Sequence, residues 1–422
     1  MAQSIERLSD RFKRYLEQWL PQQQIEDHAR RCGHRWRVRK LGPAQTIQLL
    51  LMQLLACNTA LSAARHLSDM AVTASALCHA RARLPLELLR RCAAELTRSV
   101  NAPARAFDWC GRAVLAADGV CYYAPDTSAL RRWLGSKNAF GYPLMKALTL
   151  LDLSSGVMLH QIPLPHRRGE APLLTRLLRC VAESSVVVMD RAFASFANIH
   201  VALTRKIDLA IRIRKNLRAQ RGSLRQVIKR LGKSDLLVRW ERPHQRCGLL
   251  SRLRWKALPE ALVLRQVSFS VRRRGYRTRT ITVITTLLDP KQYPAEKIAE
   301  LYSRRWEIET QFRHIKQTLN WEMLRCRSIA GVKKELLLRQ MAFNTLRGMI
   351  ASAAQKQQTS IARISFADAL RCLLYGAAEP GNTRLLHTPH RPGRTEPRRR
   401  KKQDKNYVPL TCPRSEARKK AA

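Results

Sequence analysis

The chain has 422 residues, room for one large core and one or two smaller ones, and carries 78 Lys and Arg against 31 Asp and Glu, a formal charge of +47. That excess calls for a polyanion, and because basic residues run along most of the chain, the partner is expected to touch several domains through salt-sensitive contacts. Eleven cysteines occur singly, with no Cys-x-x-Cys pair, and neither Cys32 with His34 nor His387 with His390 has two further ligands at metal-site spacing, so neither a disulfide framework nor a zinc finger is indicated.

Residues 1–105 are expected to be helical throughout and to form a DNA-binding domain. The most apolar stretch, Thr46 to Ala64, is interrupted by Gln48, Gln53 and Asn58, which suits a core helix and not a membrane span. No signal peptide is read at the start, and a cytoplasmic, nucleoid-associated setting is expected. Ala60–Leu67 and Val72–Leu84 are two short helical segments, the second capped by Thr73. They have the form of a helix-turn-helix whose second segment would present Ser75, His79, Arg81 and Arg83 to DNA. Many three-helix packings share that pattern.

From Arg112 the period turns extended. The apolar run Ala113-Val114-Leu115-Ala116-Ala117 predicts a buried strand that delivers Asp118-Gly119 at or near its end. Leu144–Leu153 and Val157–Leu164 predict a hairpin around a Ser-Ser-Gly turn, and Glu170–Ala182 a helix. Val186-Val187-Val188-Met189 predicts a short buried strand delivering Asp190-Arg191. The order β, β, β, α, β is that of the ribonuclease H type of α/β fold. A helix near Phe196–Arg205 and a fifth strand at Leu209–Ile213 follow. The catalytic core is thus expected over 106–214 and 290–356, interrupted by a β-rich insertion over 215–289 with strands at Leu236–Trp240, Leu262–Val271 and Thr278–Leu288. Asp289-Pro290 and Pro294 end that stretch. Helices are expected at Val332–Gln355 and Ser360–Tyr375. Within 357–422, the stretch beyond about Gly376 is rich in Pro, Arg and Lys and is expected to be a disordered electrostatic arm.

The densest signal lies in one helix expected from Ala295 to Leu319. Counting ~100° per residue from Tyr302, Arg305 falls at about 300°, Glu309 at about 340° and Lys316 at about 320°, while Glu307 lands on the far side at about 140°. Leu301, Ile308, Phe312, Ile315 and Leu319 form an apolar stripe beside that polar row, so the helix docks with the row at the rim of the core. A plain amphipathic helix with charge pairs would look similar. Asp118-Gly119 alone could be a turn, and Asp190-Arg191 a loop ion pair. Two strand-borne aspartates and a helix-borne glutamate in this order can instead hold two divalent ions ~3.5–4 Å apart for in-line phosphoryl displacement.

Tyr302-x2-Arg305-x3-Glu309-x6-Lys316 resembles the Tyr-Arg-Glu-Lys signature of the insertion-sequence-4 family of DDE transposases. Asp118-Gly119 with Pro125-Asp126-Thr127 resembles the family's first-aspartate block, although Val120 stands where Thr is common, and Met189-Asp190-Arg191-Ala192-Phe193 resembles the second. Ser75-Ala76-Leu77 through Pro85 resembles its N-terminal DNA-binding region, and Phe343-Asn344-x-Leu346-Arg347 the helix after the signature. The resemblance covers roughly residues 60–355. It implies cleavage at inverted-repeat ends followed by 3′-OH strand transfer into target DNA. Asp118, Asp190 and Glu309 would be catalytic and hold two Mg2+ ions, for which Mn2+ would substitute. Tyr302, Arg305 and Lys316 would grip the DNA backbone. Double-stranded DNA is the implied partner, with a homodimer in the synaptic complex and no membrane. Some relatives hold a flipped base on an aromatic of the insertion; Trp240 and Trp255 lie there, and buried packing is the expectation for both. Two alternatives stay open: a catalytically inactive relative acting as a sequence-specific regulator or transposition inhibitor, and a structural nucleic-acid-binding protein.

Overall fold

A computed structural model describes residues 8–37, 39–68, 70–104, 109–136, 141–213, 225–244, 250–271, 279–376 and 385–386. The basic arm expected beyond Gly376, including His387 and His390, lies outside these residues apart from Leu385 and Leu386.

The described residues before 105 hold only helices: α1 (Leu8–Glu17), α2 (Gln22–Arg31), α3 (Pro43–Leu55), α4 (Ala74–Arg83) and α5 (Leu86–Ala104). α3 is buried on nearly every side, as its apolar composition requires, and the Gln53 amide is satisfied by Asn58 and the Thr59 carbonyl. Thr73 caps α4, its hydroxyl accepting from the Ala76 N–H at 3.1 Å. The first of the two segments expected around the turn is a short 3-10 turn, Leu61–His66, and not a full helix.

The middle of the chain follows as β1 (Val114–Tyr123), α6 (Ser128–Leu134), β2 (Leu144–Asp152), β3 (Met158–Pro165), α7 (Ala171–Leu178), β4 (Val186–Met189), α8 (Phe196–Thr204) and β5 (Asp208–Arg212). Then come β6 (Arg225–Gly232), β7 (Asp235–Glu241), α9 (Arg252–Lys256), β8 (Ala261–Val271) and β9 (Arg279–Thr285). The last helices are α10 (Ala295–Ser303), α11 (Trp306–Arg313), α12 (Ile329–Lys356) and α13 (Phe366–Tyr375). The fold is mixed α/β around one nine-stranded sheet of order β3-β2-β1-β4-β5-β9-β8-β7-β6. β1 pairs antiparallel with β2 and parallel with β4, and β5 pairs antiparallel with β9. The strands between residues 225 and 285 therefore extend the central sheet and form no separate one.

Side-chain alternation on β1 divides the apolar interior. Val114, Ala116 and Val120 face a core shared with α3, α5 and α12, whereas Leu115 and Ala117 face the core under α7 and α8. Each fully buried Leu or Phe there stabilises by about 1.5–3 kcal/mol over exposure. α12 runs through the first core with buried polar groups that clip other segments to it. Asn344 bonds both the N–H and the carbonyl of Met158, Arg347 donates to the Ser155 carbonyl, and Glu335 accepts the Arg325 and Cys326 N–H groups. These contacts hold the β2-β3 hairpin and the segment after Leu319 as one body with the N-terminal helices. Among the described residues, no helix is long and apolar enough to cross a membrane.

Candidate active site

Parallel pairing of β1 with β4 runs to Ala117 opposite Met189, so Asp118 and Asp190 are the next residues on adjacent strands. Asp118 is not at the end of its strand: β1 continues against β2 as far as Tyr123 opposite Leu144. The carboxylate instead marks the point where the parallel neighbour stops. Its Oδ1 accepts the Gly119 N–H at 2.8 Å. Burial pushes the Asp118 carboxyl up to about 6; the Gly119 N–H and Arg305 oppose that rise, and Glu170 and Asp190 add to it. Asp190 follows β4 directly and opens a 3-10 turn. Its Oδ1 is buried without a hydrogen-bond partner, a state that costs about 1–3 kcal/mol unless a ligand relieves it.

The single helix expected over 295–319 is interrupted. α10 ends at Ser303, Arg304 and Arg305 form a tightened turn in which the Arg305 N–H reaches Tyr302 O at 3.1 Å, and α11 starts at Trp306. His314–Thr318 then widens into a π-helical turn, closed by Leu319 N–H to His314 O at 2.9 Å. Ile315 and Leu319 are both in the core across this turn. The polar row survives these breaks. Glu307 points away and pairs with Arg304 at 3.0 Å.

Arg305 joins the acids. Its guanidinium lies 2.8 Å from Glu309 Oε1 and 3.7 Å from Asp118 Oδ2. Burial works against the Arg305 charge, and Tyr302, Glu309 and Asp190 outweigh it. Tyr302 is 3 % exposed and its hydroxyl is buried with no partner; burial also raises its pKa. Lys316 reaches the neighbourhood of β1 from the π turn, where burial raises the Cys121 thiol pKa and Lys316 and Lys146 draw it down. Trp306 lies 60 % exposed beside Arg305, with the guanidinium 5.3 Å from its ring.

Among the described residues, no three His, Cys, Asp or Glu side chains are grouped closely enough to hold one ion. The arginine explains this, since Asp118 and Glu309 both turn to its guanidinium. The donor set nevertheless suits an oxygen-seeking divalent ion: the acids are carboxylates, and Asp190 Oδ1 is an orphaned buried acceptor.

Two further charged groups adjoin the acids. Glu170, preceding α7, packs its carboxyl over Gly119, where an added Cβ would lie 2.5 Å from Glu170 Oε1. Lys146 on β2 stands 3.7 Å from the same carboxylate, opposite Cys121 in the β1-β2 register. The available signal for Lys146 was a lone charge inside the apolar run of β2; Glu170 carried none. The N-terminal residues divide. Ser75, His79 and Arg83 are exposed at four-residue steps along α4, whereas Arg81 is half-buried in a different hollow beside Arg325 and Glu335. Trp240 and Trp255 are both buried, Trp240 beneath the Arg225 guanidinium at 3.7 Å.

Residues 109–345 match the family model described as "Transposase DDE domain". The chain is similar to "Transposase InsG for insertion sequence element IS4" of Escherichia coli (strain K12), 28% identical over 291 residues that cover 67% of this chain and 62% of that protein. The match thus spans less than two thirds of the relative. Among solved structures, the piggyBac transposase synaptic complex with hairpin DNA aligns with a TM-score of 0.46 at 12% identity, covering 89% of this chain and 81% of that one. With more than half of its length matching that family model, the chain belongs to the transposase DDE domain family.

Proposed function

We propose that the chain is a DNA transposase of the insertion-sequence-4 type that cuts at the inverted-repeat ends of its element and joins the freed 3′-OH to target DNA. The observation that carries this is the meeting of Asp118 and Glu309 at the Arg305 guanidinium, with Asp190 on the adjoining strand. The strand order β3-β2-β1-β4-β5, with α10 and α11 packed beside it, supports a ribonuclease H-like core.

Asp118, Asp190 and Glu309 would hold two Mg2+ ions, with Mn2+ able to substitute, and those ions when bound activate the attacking oxygen and stabilise the leaving 3′ oxygen of an in-line displacement. No protein nucleophile is then needed. In the first reaction a water oxygen bonds to phosphorus, the P–O3′ bond breaks and the 3′-OH is freed; in the second that 3′-OH bonds to a target phosphorus, the target P–O3′ bond breaks and a target 3′-OH leaves with the proton given up by the attacking hydroxyl. The chain's own part is to position phosphate. Tyr302 offers an unpartnered hydroxyl as a donor, Lys316 brings an ammonium, and Arg305 exchanges Asp118 for a phosphate oxygen as the backbone enters. The +47 charge supports duplex DNA as the partner, and holding two element ends together calls for a homodimer.

The test is incubation of the purified protein with a supercoiled plasmid carrying the coding region and both native flanks, in Mg2+, Mn2+ or EDTA. Metal-dependent cuts that Asp118→Asn and Asp190→Asn each abolish are expected. Binding without cuts under every metal condition would favour the inactive regulatory relative.

A further inference from the structure

A concentration of uncompensated positive charge lies away from the acids, beside α4. Between α2 and α3 the described residues 34–37 and 39–42 form a non-helical strap, and a cleft of about 800 Å³ separates it from α4. The strap supplies Arg35, Arg37, Arg39 and Lys40 to the cleft and α4 supplies His79 and Arg83; among the described residues no acidic one lines it. We propose that the strap and α4 together form the surface that grips duplex DNA, with the strap supplying most of the phosphate contacts. This rests on the functional reading above and names the part of the chain that holds the duplex.

Exposure alternates over residues 34–37: Arg35 and Arg37 are exposed, whereas His34 and Trp36 are half-buried, and Arg39 and Lys40 further on are both exposed. That is the period of an extended chain with one face docked. From Arg35 to Arg37 such a chain advances ~6.6 Å, close to two phosphate steps of ~3.4 Å along one strand of a duplex. The docked face is fixed by its rings: Trp36 packs against the main core, stacks with His34 at 5.8 Å and lies under the Arg30 guanidinium at 5.5 Å. The arginine row is therefore held in place before any partner arrives, which lowers the ordering cost of binding.

Arg35, Arg37, Arg39, Lys40 and Arg83 make no ion pair among the described residues, and all five line one cleft. Burial, and then the nearby Arg83 and Lys334 charges, push the His34 imidazole below its ordinary range, consistent with a positive field at the cleft. A polyanion relieves that repulsion. The form of the site favours duplex DNA over other polyanions. The exposed row Ser75, His79 and Arg83 makes α4 a polar ridge, an α-helix fits the major groove of B-form DNA, and the strap beside it is placed as an arm on the flanking backbone. The deep, narrow major groove of A-form RNA would not admit that ridge. Lys334 of α12 donates to the Arg81 and Ala82 carbonyls at 3.3 and 2.7 Å, pinning the end of α4 to the helix that also clips the β2-β3 hairpin. A duplex held here is fixed relative to the acids.

The experiment is a salt titration of full-length protein binding, read by fluorescence anisotropy of a labelled duplex that carries native flanking sequence. The combined Arg35→Gln, Arg37→Gln and Arg39→Gln variant is compared with wild type and with the corresponding triple lysine variant. At about 0.9 per phosphate contact, the slope of log affinity against log salt should flatten by about 2.7 in the glutamine variant and hold in the lysine variant, with affinity at about 100 mM salt falling at least tenfold. Thermal unfolding checks that the variants are folded. An unchanged slope and affinity in the folded glutamine variant, or equal competition by a double-stranded RNA of the same length, would overturn the proposal. Wild-type protein that binds through the strap yet never cuts would leave this inference standing and refute the catalytic one.

Discussion

Replacing Asp118 by Asn should stabilise the metal-free protein while abolishing its chemistry. Burial leaves the Asp118 carboxyl protonating at about 6 in the folded chain, even with Arg305 beside it, against about 3.9 in an unfolded one. The folded state therefore holds that proton more tightly, and the resulting stabilisation is complete below about pH 4 and lost as pH rises through about 6. At about 1.4 kcal/mol per tenfold change in proton affinity, ionised Asp118 costs the fold up to about 3 kcal/mol above pH 7, reduced because the side chain keeps 25% of its exposure. Asparagine removes the charge at nearly constant volume. Thermal unfolding in EDTA should show Asp118→Asn melting above wild type by a few degrees at pH 8, with the gap about halved at pH 5 and closed below about pH 4. Added Mg2+ should raise the melting temperature of wild type and not of the variant. A variant less stable than wild type at pH 8, or a gap independent of pH, would refute the assignment of strain to this carboxylate.

Glu170→Gln removes a negative neighbour of Asp118, so the Asp118 proton should leave more easily and the acid limb of the cleavage pH profile should move to lower pH, read from initial cutting rates. Gly348→Ala places a Cβ 2.7 Å from the buried Trp19 indole, which cannot give way cheaply; a loss of about 1–3 kcal/mol in denaturant unfolding is expected. Asp235→Ala strips the carboxylate from Arg265, which is fully buried and held by Asp235 at 2.8 Å, and should cost about 3–5 kcal/mol, the larger effect of the two. Near-equal stability of that variant and wild type would show that Tyr293 O, at 2.6 Å, suffices for the guanidinium.

The acids were legible because each stands where local period changes: Asp118 after an apolar run, Asp190 after four apolar residues, Glu309 on an amphipathic helix. What the sequence could not reveal is set by tertiary contacts. Asp118 looked like a strand end because only its parallel partner stops there, while pairing with β2 carries on to Tyr123. The turn at Arg304 and Arg305 was unreadable because both residues are good helix formers, and tertiary contacts around Arg305 override that propensity. β6 escaped notice because five successive residues from Gln226 are exposed and show no alternation. Glu170 sits far in sequence from Gly119 and Lys146, so only the folded chain brings its carboxyl to them.

The most direct test of the central claim maps strand breaks, base by base, in a plasmid bearing the coding region and both flanks after reaction with wild type or Glu309→Gln in Mg2+. A site built from Asp118, Asp190 and Glu309 predicts breaks with free 3′-OH ends at the two flanking repeats for wild type, none for the variant, and equal duplex binding by both. Equal breaks from both proteins, or breaks scattered without relation to the flanks, would contradict it.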